Sequence, residues 1–258
     1  MRVFALSDLH VDYGANARWV ENLSRAEYTE DLLILAGDIT DIIGSLEWCL
    51  GVLAARFHKV LFVPGNHDLW VNRDSVPGNS LEKLEKVTTL AAAAGVSMTP
   101  LHRDGLSIYP LLGWYDYSFG EPSRRLKALW TDYRACRWPE GFDDPAVTQH
   151  MVALNETHLP HGPQNPSGAT VPKVITFSHF VPRADIVPTG KRLGRFLHPI
   201  LGTDQLELQL RRCHSSLHVF GHHHINRSVQ IDGVTYINNA LGYPGEQTGK
   251  SLLCIHEC

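Results

Sequence analysis

Leu32-Leu33-Ile34-Leu35-Ala36-Gly37-Asp38-Ile39-Thr40-Asp41 is the stretch that decides the architecture of this chain. Its unbroken apolar run, with no polar alternation, reads as a strand buried on both faces, and the glycine that ends it releases the chain into a polar turn. Two runs of the same design flank it. Val3 to Leu6 ends in Ser7-Asp8-Leu9-His10, and Val60 to Val63 ends in Pro64-Gly65-Asn66-His67-Asp68. Stretches with helical apolar spacing, Trp19 to Tyr28 and Ile43 to Phe57, separate the three, so the order is βαβαβ: parallel strands with helices packed on them. Ligands in open α/β sheets bind at the carboxyl ends of the strands. Here each strand delivers oxygen or imidazole donors to that edge.

Further along, Ser80 to Gly95 reads as a helix with Ser80 as N-cap and Gly95 as C-cap. Strand-like runs return at Val174 to Ser178, Leu217 to Phe220, Ser228 to Ile231 and Thr235 to Asn238, the last two joined by an Asp232-Gly233 turn that marks a hairpin. Ser178-His179 follows the first of them, and Gly221-His222-His223-His224 follows the second. Between Trp114 and Pro172 aromatics and arginines interleave, a helix is expected from Pro145 to Thr157, and a Pro/Gly-rich linker follows. We expect one domain over 1–258 with this insertion, at about 114–172, as a lid. The competing reading is a small satellite core with Trp114 and Trp130 turned inward.

The 258 residues are 43% hydrophobic and 19% charged, which supports a sizeable core and excludes disordered and fibrous classes. A formal charge of -4 offers no broad attraction to a polyanion, so nucleic acid is a poor partner. The five cysteines form no CxxC pair, which argues against a disulfide framework and a thiolate zinc site and fits a reducing, cytoplasmic compartment. No run approaches the ~20 apolar residues of a spanning helix, and the N-terminus turns polar too early for a signal peptide. No membrane partner is expected, and the oligomeric state is open.

Alone, DxH or a histidine after a strand is usually structural. Repeated at strand end after strand end, such donors call for something positive between them, because buried carboxylates and imidazoles without compensation are costly. In extended backbone residues i and i+2 point the same way, which lets Asp8 converge with His10 and His222 with His224, while His223 faces away as a packing residue.

This pattern, DxH, GDxxD, GNHD, a lone His and GHxH, resembles the calcineurin-like metallophosphoesterase family from Asp8 to His224. The resemblance implies a four-layer αββα sandwich of two mixed β-sheets flanked by helices. It also implies two divalent or trivalent metal ions (Mn, Fe, Zn or Co), one held by Asp8, His10, Asp38 and His224 and the other by Asp38, Asn66, His179 and His222, with Asp38 bridging. Two such ions can share a water that becomes hydroxide near neutral pH and attacks phosphorus in line. By the same resemblance His67 is the acid that protonates the leaving group, and Asp41 holds the far nitrogen of its ring. Ile42-Ile43-Gly44 and Asp68 replace the Arg-Gly and Glu of the family's protein phosphatases. That departure points away from a phosphoprotein and toward the bacterial phosphodiesterase branch, with a small-molecule phosphoester or nucleotide as substrate. The rivals are a nuclease on the same scaffold, disfavoured by charge, and a silent metal-binding scaffold, disfavoured because no ligand of the pattern is missing.

Outside the motifs, Arg183 and the cluster Lys191, Arg192 and Arg195 are candidates for a substrate phosphate, although basic loops are usually only solvated. Asn238, Asn239 and Tyr243 are near enough to the last motif to line the pocket, and turn chemistry explains the asparagines equally well.

Overall fold

The first βαβαβ unit folds as its apolar runs require. In the computed structural model, which describes residues 1–73, 78–160, 173–188, 192–246 and 251–257, it comprises β1 (Arg2–Leu6), α1 (Gly14–Glu21), β2 (Leu32–Ala36), α2 (Ile43–Ala54), β3 (Lys59–Val63) and α3 (Ser80–Ala93). Helix α1 begins and ends earlier than the apolar spacing around Trp19 to Tyr28 implied. Helix α3 is capped by Asn79 rather than Ser80: the Asn79 side chain accepts from the N–H groups of Leu81 and Glu82, and Glu82 answers to the Asn79 N–H as a capping box. Gly95, with φ +77°, lies just beyond the C-cap Ala94.

The second half begins with two strands that the sequence reading passed over, β4 (Leu101–Arg103) and β5 (Leu106–Pro110). Short helices α4 (Arg124–Leu129) and α5 (Asp132–Ala135) and the longer α6 (Asp144–Asn155) follow. Then come β6 (Lys173–Phe177), α7 (Arg192–Leu197), α8 (Asp204–Arg212), β7 (Leu217–Phe220), β8 (Arg227–Ile231), β9 (Val234–Asn238) and β10 (Leu253–Glu257). The β8–β9 turn has Asp232 at φ 49° and Gly233 at φ 80°, the left-handed pair that an Asp-Gly hairpin requires.

Two mixed sheets result, one four-stranded in the order β10-β1-β2-β3 and one six-stranded in the order β4-β5-β6-β7-β9-β8. Strands β1, β2 and β3 are parallel, as are β5, β6, β7 and β9, while β10, β4 and β8 pair antiparallel at or near the edges. Alternate residues of the buried strands, among them Val3, Ile34 and Leu61 from one sheet and Ile108, Phe177 and Val219 from the other, form the core between the sheets. The opposite faces pack against helices: Leu33, Leu35 and Phe62 against Leu46, Leu50 and Val87, and Tyr109 and Phe220 against Val147, Met151 and Leu206. Helix, sheet, sheet and helix layers therefore stack as an αββα sandwich.

In its described part the 114–172 segment contributes side chains to the core. Trp114 and Tyr115 are completely buried and pack with Phe180, Leu126 and Val147 in the outer core of the larger sheet. The Pro/Gly-rich stretch from 161 to 172 lies outside the described residues. Among the described residues no helix is long and apolar enough to cross a membrane.

His218, in the middle of β7, is fully buried, with Nδ1 2.8 Å from the Thr176 hydroxyl and Nε2 3.0 Å from the Ser178 hydroxyl. Burial pushes it down to about 3, from an ordinary value of about 6.5. The unfolded chain thus takes up a proton that the folded chain refuses between those values, and stability falls as pH drops through that window. Between pH 7 and pH 5 the metal-free protein is expected to lose roughly 2 kcal/mol through this group. Denaturant titrations should show a shallower acid loss in His218→Gln, and an unchanged slope would remove His218 as the source.

Candidate metal centre

Because β1, β2, β3, β6 and β7 run parallel within their sheets, their carboxyl ends open into loops that meet at one edge. Asp8, His10, Asp38 and His224 bring ligand atoms together in one group, and Asp38, His179 and His222 in another, with the atoms of each group within 4.8 Å of one another. The two sheets are stitched together there. The Ser7 N–H donates to the Asn239 carbonyl at 3.0 Å, the Leu241 N–H to the Ser7 carbonyl at 2.9 Å, and the His222 N–H to Asp8 Oδ1 at 3.0 Å.

Strand alternation does not produce the convergence, contrary to the i, i+2 expectation. Asp8, His10, Asp38, His222 and His224 have φ of 52°, 43°, 56°, 72° and 53°, so these five candidate donors sit in left-handed backbone just past their strands, whereas Asn66 is right-handed at φ -66°. Non-glycine residues rarely adopt that region, and such strain is held only when surrounding bonds impose it. Asp68 supplies many of them. Its carboxylate accepts the N–H groups of Asp38 at 2.9 Å, Ile39 at 2.9 Å, Thr40 at 3.1 Å and Gly65 at 2.8 Å, so one buried side chain fixes the loops after β2 and β3 together. Gly37 and Gly65 are required for room: a Cβ on Gly37 would stand 2.5 Å from His179 Nδ1, and one on Gly65 would run into Asp38 Oδ1.

The hydrogen bonds on the outward side of each ring identify which nitrogen faces the centre. His179 Nδ1 donates to the Ala36 carbonyl at 2.9 Å, and His222 Nε2 donates to the Ile200 carbonyl at 3.0 Å. Their other nitrogens therefore present lone pairs, 3.2 Å apart. Asn66 Nδ2 donates to Asp132 at 2.9 Å, which turns Oδ1, also an acceptor, to within 3.2 Å of His179 Nε2. Asp38 Oδ1 completes this group 3.5 Å from His179 Nε2. In the other group His224 Nδ1 is paired with Glu246 at 2.7 Å, and its Nε2 lies 3.2 Å from Asp8 Oδ1 and 3.1 Å from His10 Nε2. Asp38 Oδ2, 4.0 Å from His10 Nε2, faces this side. The two oxygens of Asp38 thus look into different groups.

Acceptors packed against acceptors repel unless a cation lies among them. Ligands at about 2.1 Å from a common ion are separated by roughly 3.0 to 3.4 Å in octahedral or tetrahedral geometry, and most of the distances above fall in that range. The donor set, carboxylate, amide oxygen and imidazole, suits first-row transition metals. The residues present therefore fit two metal ions. Without metal, burial, then the Asp8 and Asp68 carboxylates, raises Asp38 well above the usual carboxylate range. Burial pushes His10 down to about 3 despite Asp8 beside it. His224 moves the other way, to about 9, because Asp8 and Glu246 outweigh its burial, so without metal it carries a proton that a cation at this position would displace.

His67 stands next to this centre, with Nε2 3.8 Å from Asp38 Oδ2 and 3.5 Å from the Tyr243 hydroxyl, and its ring is stacked on Trp70 at 3.6 Å. It opens onto a cleft of about 340 Å³ lined also by Tyr13, Asp41, Trp70, Arg73 and Tyr243. Asp41 does not hold His67 as expected. It is engaged by the Arg73 guanidinium, whose Nε lies 2.5 Å from Oδ2 and whose Nη2 reaches Oδ1. Arg183 is not brought to the centre either. Its guanidinium pairs with Asp185 at 2.7 Å, Glu207 at 3.2 Å and Asp232 at 3.2 Å, the last at the edge of β9 opposite the ligands. Lys191 and the Arg192 side chain lie outside the described residues, and Arg195 is exposed. His223 packs its ring against Phe220 at 5.1 Å, the packing role expected of it. Asn238 and Asn239 serve the backbone, donating to the Phe220 carbonyl at 2.7 Å and the Ala5 carbonyl at 2.9 Å.

Three contributors escaped the sequence reading: Glu246, which fixes the His224 tautomer; Trp70, under His67; and Asp132, behind Asn66. None of them has a spacing that marks it. Asp68 was visible as the last letter of GNHD, but its grip on the β2 loop was not.

The family model for calcineurin-like phosphoesterases matches residues 1–226. An acyl-carrier-protein phosphodiesterase, PptH, of Mycobacterium tuberculosis is 28% identical over 270 aligned positions, which span 95% of this chain and 78% of that protein. The crystal structure of phosphopantetheinyl hydrolase (PptH) from Mycobacterium tuberculosis matches this fold with a TM-score of 0.81 and 25% identity, covering 98% of this chain and 95% of that one.

Proposed function

The chain belongs to the calcineurin-like phosphoesterase family, and from that premise we propose that it cleaves a phosphodiester, the phosphopantetheine linkage of a carrier protein, at a two-metal centre. The observation that carries the reading is the pair of lone-pair clusters sharing Asp38. Asp8, His10, Asp38 and His224 hold one ion; Asp38, Asn66, His179 and His222 hold the other. Such ions supply positive charge against the phosphoryl oxygens and a hydroxide near neutral pH.

The chain's own groups do the rest. Asp38 screens one cation from the other, and the left-handed loops keep the ligands from relaxing toward solvent. His67 faces the cleft, where its Nε2–H can reach the departing oxygen. Burial, reinforced by His10 and the other imidazoles around it, holds His67 well below its ordinary value in the metal-free chain, so its assignment as the acid rests on its place between Asp38 and the cleft and not on a resting positive charge. Asp41 and Arg73 form the far wall of the cleft as a neutralised pair.

The carrier-protein substrate rests on the relatives named above, whose aligned length covers nearly the whole chain. A cleft of about 340 Å³ admits a phosphodiester and the beginnings of its two substituents, near the small end of ligand sites. The arm could enter while the carrier protein stays outside. That size also accommodates the small-molecule phosphoester or nucleotide expected from the sequence. Incubating holo acyl carrier protein with the Mn²⁺-loaded enzyme and weighing the products by mass spectrometry tests the choice. Hydrolysis of the serine P–O bond should give the apo protein and free phosphopantetheine. Turnover of nitrophenyl diesters with the holo protein untouched would return the substrate to the small-molecule class.

A further inference from the structure

Asp132 comes from the aromatic and arginine stretch and carries no family motif, yet its carboxylate is almost completely buried behind the metal centre. Oδ1 accepts Asn66 Nδ2–H at 2.9 Å and Trp70 Nε1–H at 2.7 Å, and Oδ2 accepts Trp130 Nε1–H at 2.6 Å. Each donor belongs to a side chain that touches the site. Asn66 Oδ1 is 3.2 Å from His179 Nε2, Trp70 is the ring on which His67 is stacked, and Trp130 meets the His222 ring edge to face at 6.0 Å.

An anion is suited to this place. An amide side chain offers one acceptor oxygen and one donor NH₂, whereas a carboxylate offers two acceptor oxygens, which the convergent N–H groups of Asn66, Trp70 and Trp130 need. Hydrogen bonds to a charged acceptor are also the stronger ones. Without Asp132, Asn66 has no reason to turn its amide nitrogen away from the cation position, and the Trp70 indole loses the bond that sets its angle under His67.

We propose that Asp132 is a positioning residue for both halves of the reaction: it aims the Asn66 oxygen at the second cation and sets the Trp70 platform that orients the leaving-group acid. The inference rests on the two-metal reading above. It explains why Trp130, Asp132 and their neighbours are built into the outer layer rather than forming a detachable lid: the segment ends its packing work in a carboxylate aimed at the site.

Co²⁺ titration of the chelator-treated full chain, read by visible absorption, tests the first half without reference to activity. In Asp132→Asn the second ion should bind about 10 to 100 times more weakly, the usual effect of removing a partner that orients a ligand, while the first ion binds as before. The loss should shrink to nothing when Asp132→Asn is added to Asn66→Ala, because the oxygen it orients is then gone. Trp70→Phe tests the second half: it keeps an aromatic ring under His67 and removes only the N–H to Asp132. Both ions should stay bound, and hydrolysis of an alkyl diester should fall further than that of a nitrophenyl diester. A lowered melting temperature with unchanged affinity of both ions in Asp132→Asn would overturn the proposal and leave Asp132 as a packing residue, as would equal losses on the two esters in Trp70→Phe. If Asp132→Asn does not fold, Trp70→Phe decides alone. A wild-type chain that binds fewer than two Co²⁺ would instead defeat the two-metal reading, so the two failures are distinguishable.

Discussion

Replacing Asp38 by Asn is expected to remove both metal ions and all measurable turnover. Its two oxygens face separate groups of donors, Oδ1 toward His179 at 3.5 Å and Oδ2 toward His10 at 4.0 Å, and an amide can present only one anion-like acceptor. The lost charge matters more than the lost contact. Two divalent ions about 3.5 to 4 Å apart repel with an energy that scales inversely with the local dielectric, and a bridging carboxylate is the group placed between them. The substitution also removes a carboxyl group that burial, then Asp8 and Asp68, hold well above the usual carboxylate range in the metal-free chain. Asp38→Asn should therefore melt at the same or a higher temperature than the metal-free wild type while failing to load. Elemental analysis giving two tightly held ions in the variant would contradict the bridging role.

His67→Ala should leave both ions in place and slow the reaction by an amount that depends on the leaving group. A general acid contributes roughly 10² to 10⁴ in rate where the departing oxygen needs a proton. An alkyl diester should lose that much, and a nitrophenyl diester, whose phenolate leaves unaided, should lose little. His67 Nε2 is the atom that approaches both Asp38 Oδ2, at 3.8 Å, and the Tyr243 hydroxyl, at 3.5 Å, so its position is fixed by the site and not by solvent. Asp41 is tied to Arg73 and not to His67, and Asp41→Asn is accordingly expected to show no such leaving-group dependence. Equal losses of rate on both esters in His67→Ala would take the residue out of this role.

The layered fold was legible because buried parallel strands are written as unbroken apolar runs. Leu32–Ala36 and Leu217–Phe220 have the bounds that their runs implied, and the donors after each strand marked the functional edge. Strands β4 and β10 were not legible: His102 and Arg103 are exposed, and the β10 residues from Leu253 to Glu257 are half or fully exposed, so neither element carries a core pattern. The candidate ligands could be named from the motifs, but how they converge could not, since left-handed backbone at Asp8, His10, Asp38 and His222 is held by hydrogen bonds from distant loops. Partner choice failed for the same reason. Asp41 meets Arg73 across 32 positions and Asn66 meets Asp132 across 66, contacts for which spacing along the chain gives no signal. Arg183 was attractive because it follows His179 closely, yet Asp185, Glu207 and Asp232 draw it away from the centre.

The central claim, that two groups of acceptors sharing Asp38 form one working metal centre, is tested most directly by reconstitution. Chelator-treated protein is returned to Mn²⁺ in steps, and ions bound per chain are measured alongside hydrolysis of a nitrophenyl phosphodiester. The account predicts no turnover without metal, binding that ends at two ions per chain, and activity that rises with the second ion. Full activity in the metal-free chain, or saturation of both binding and activity at a single ion, would contradict it.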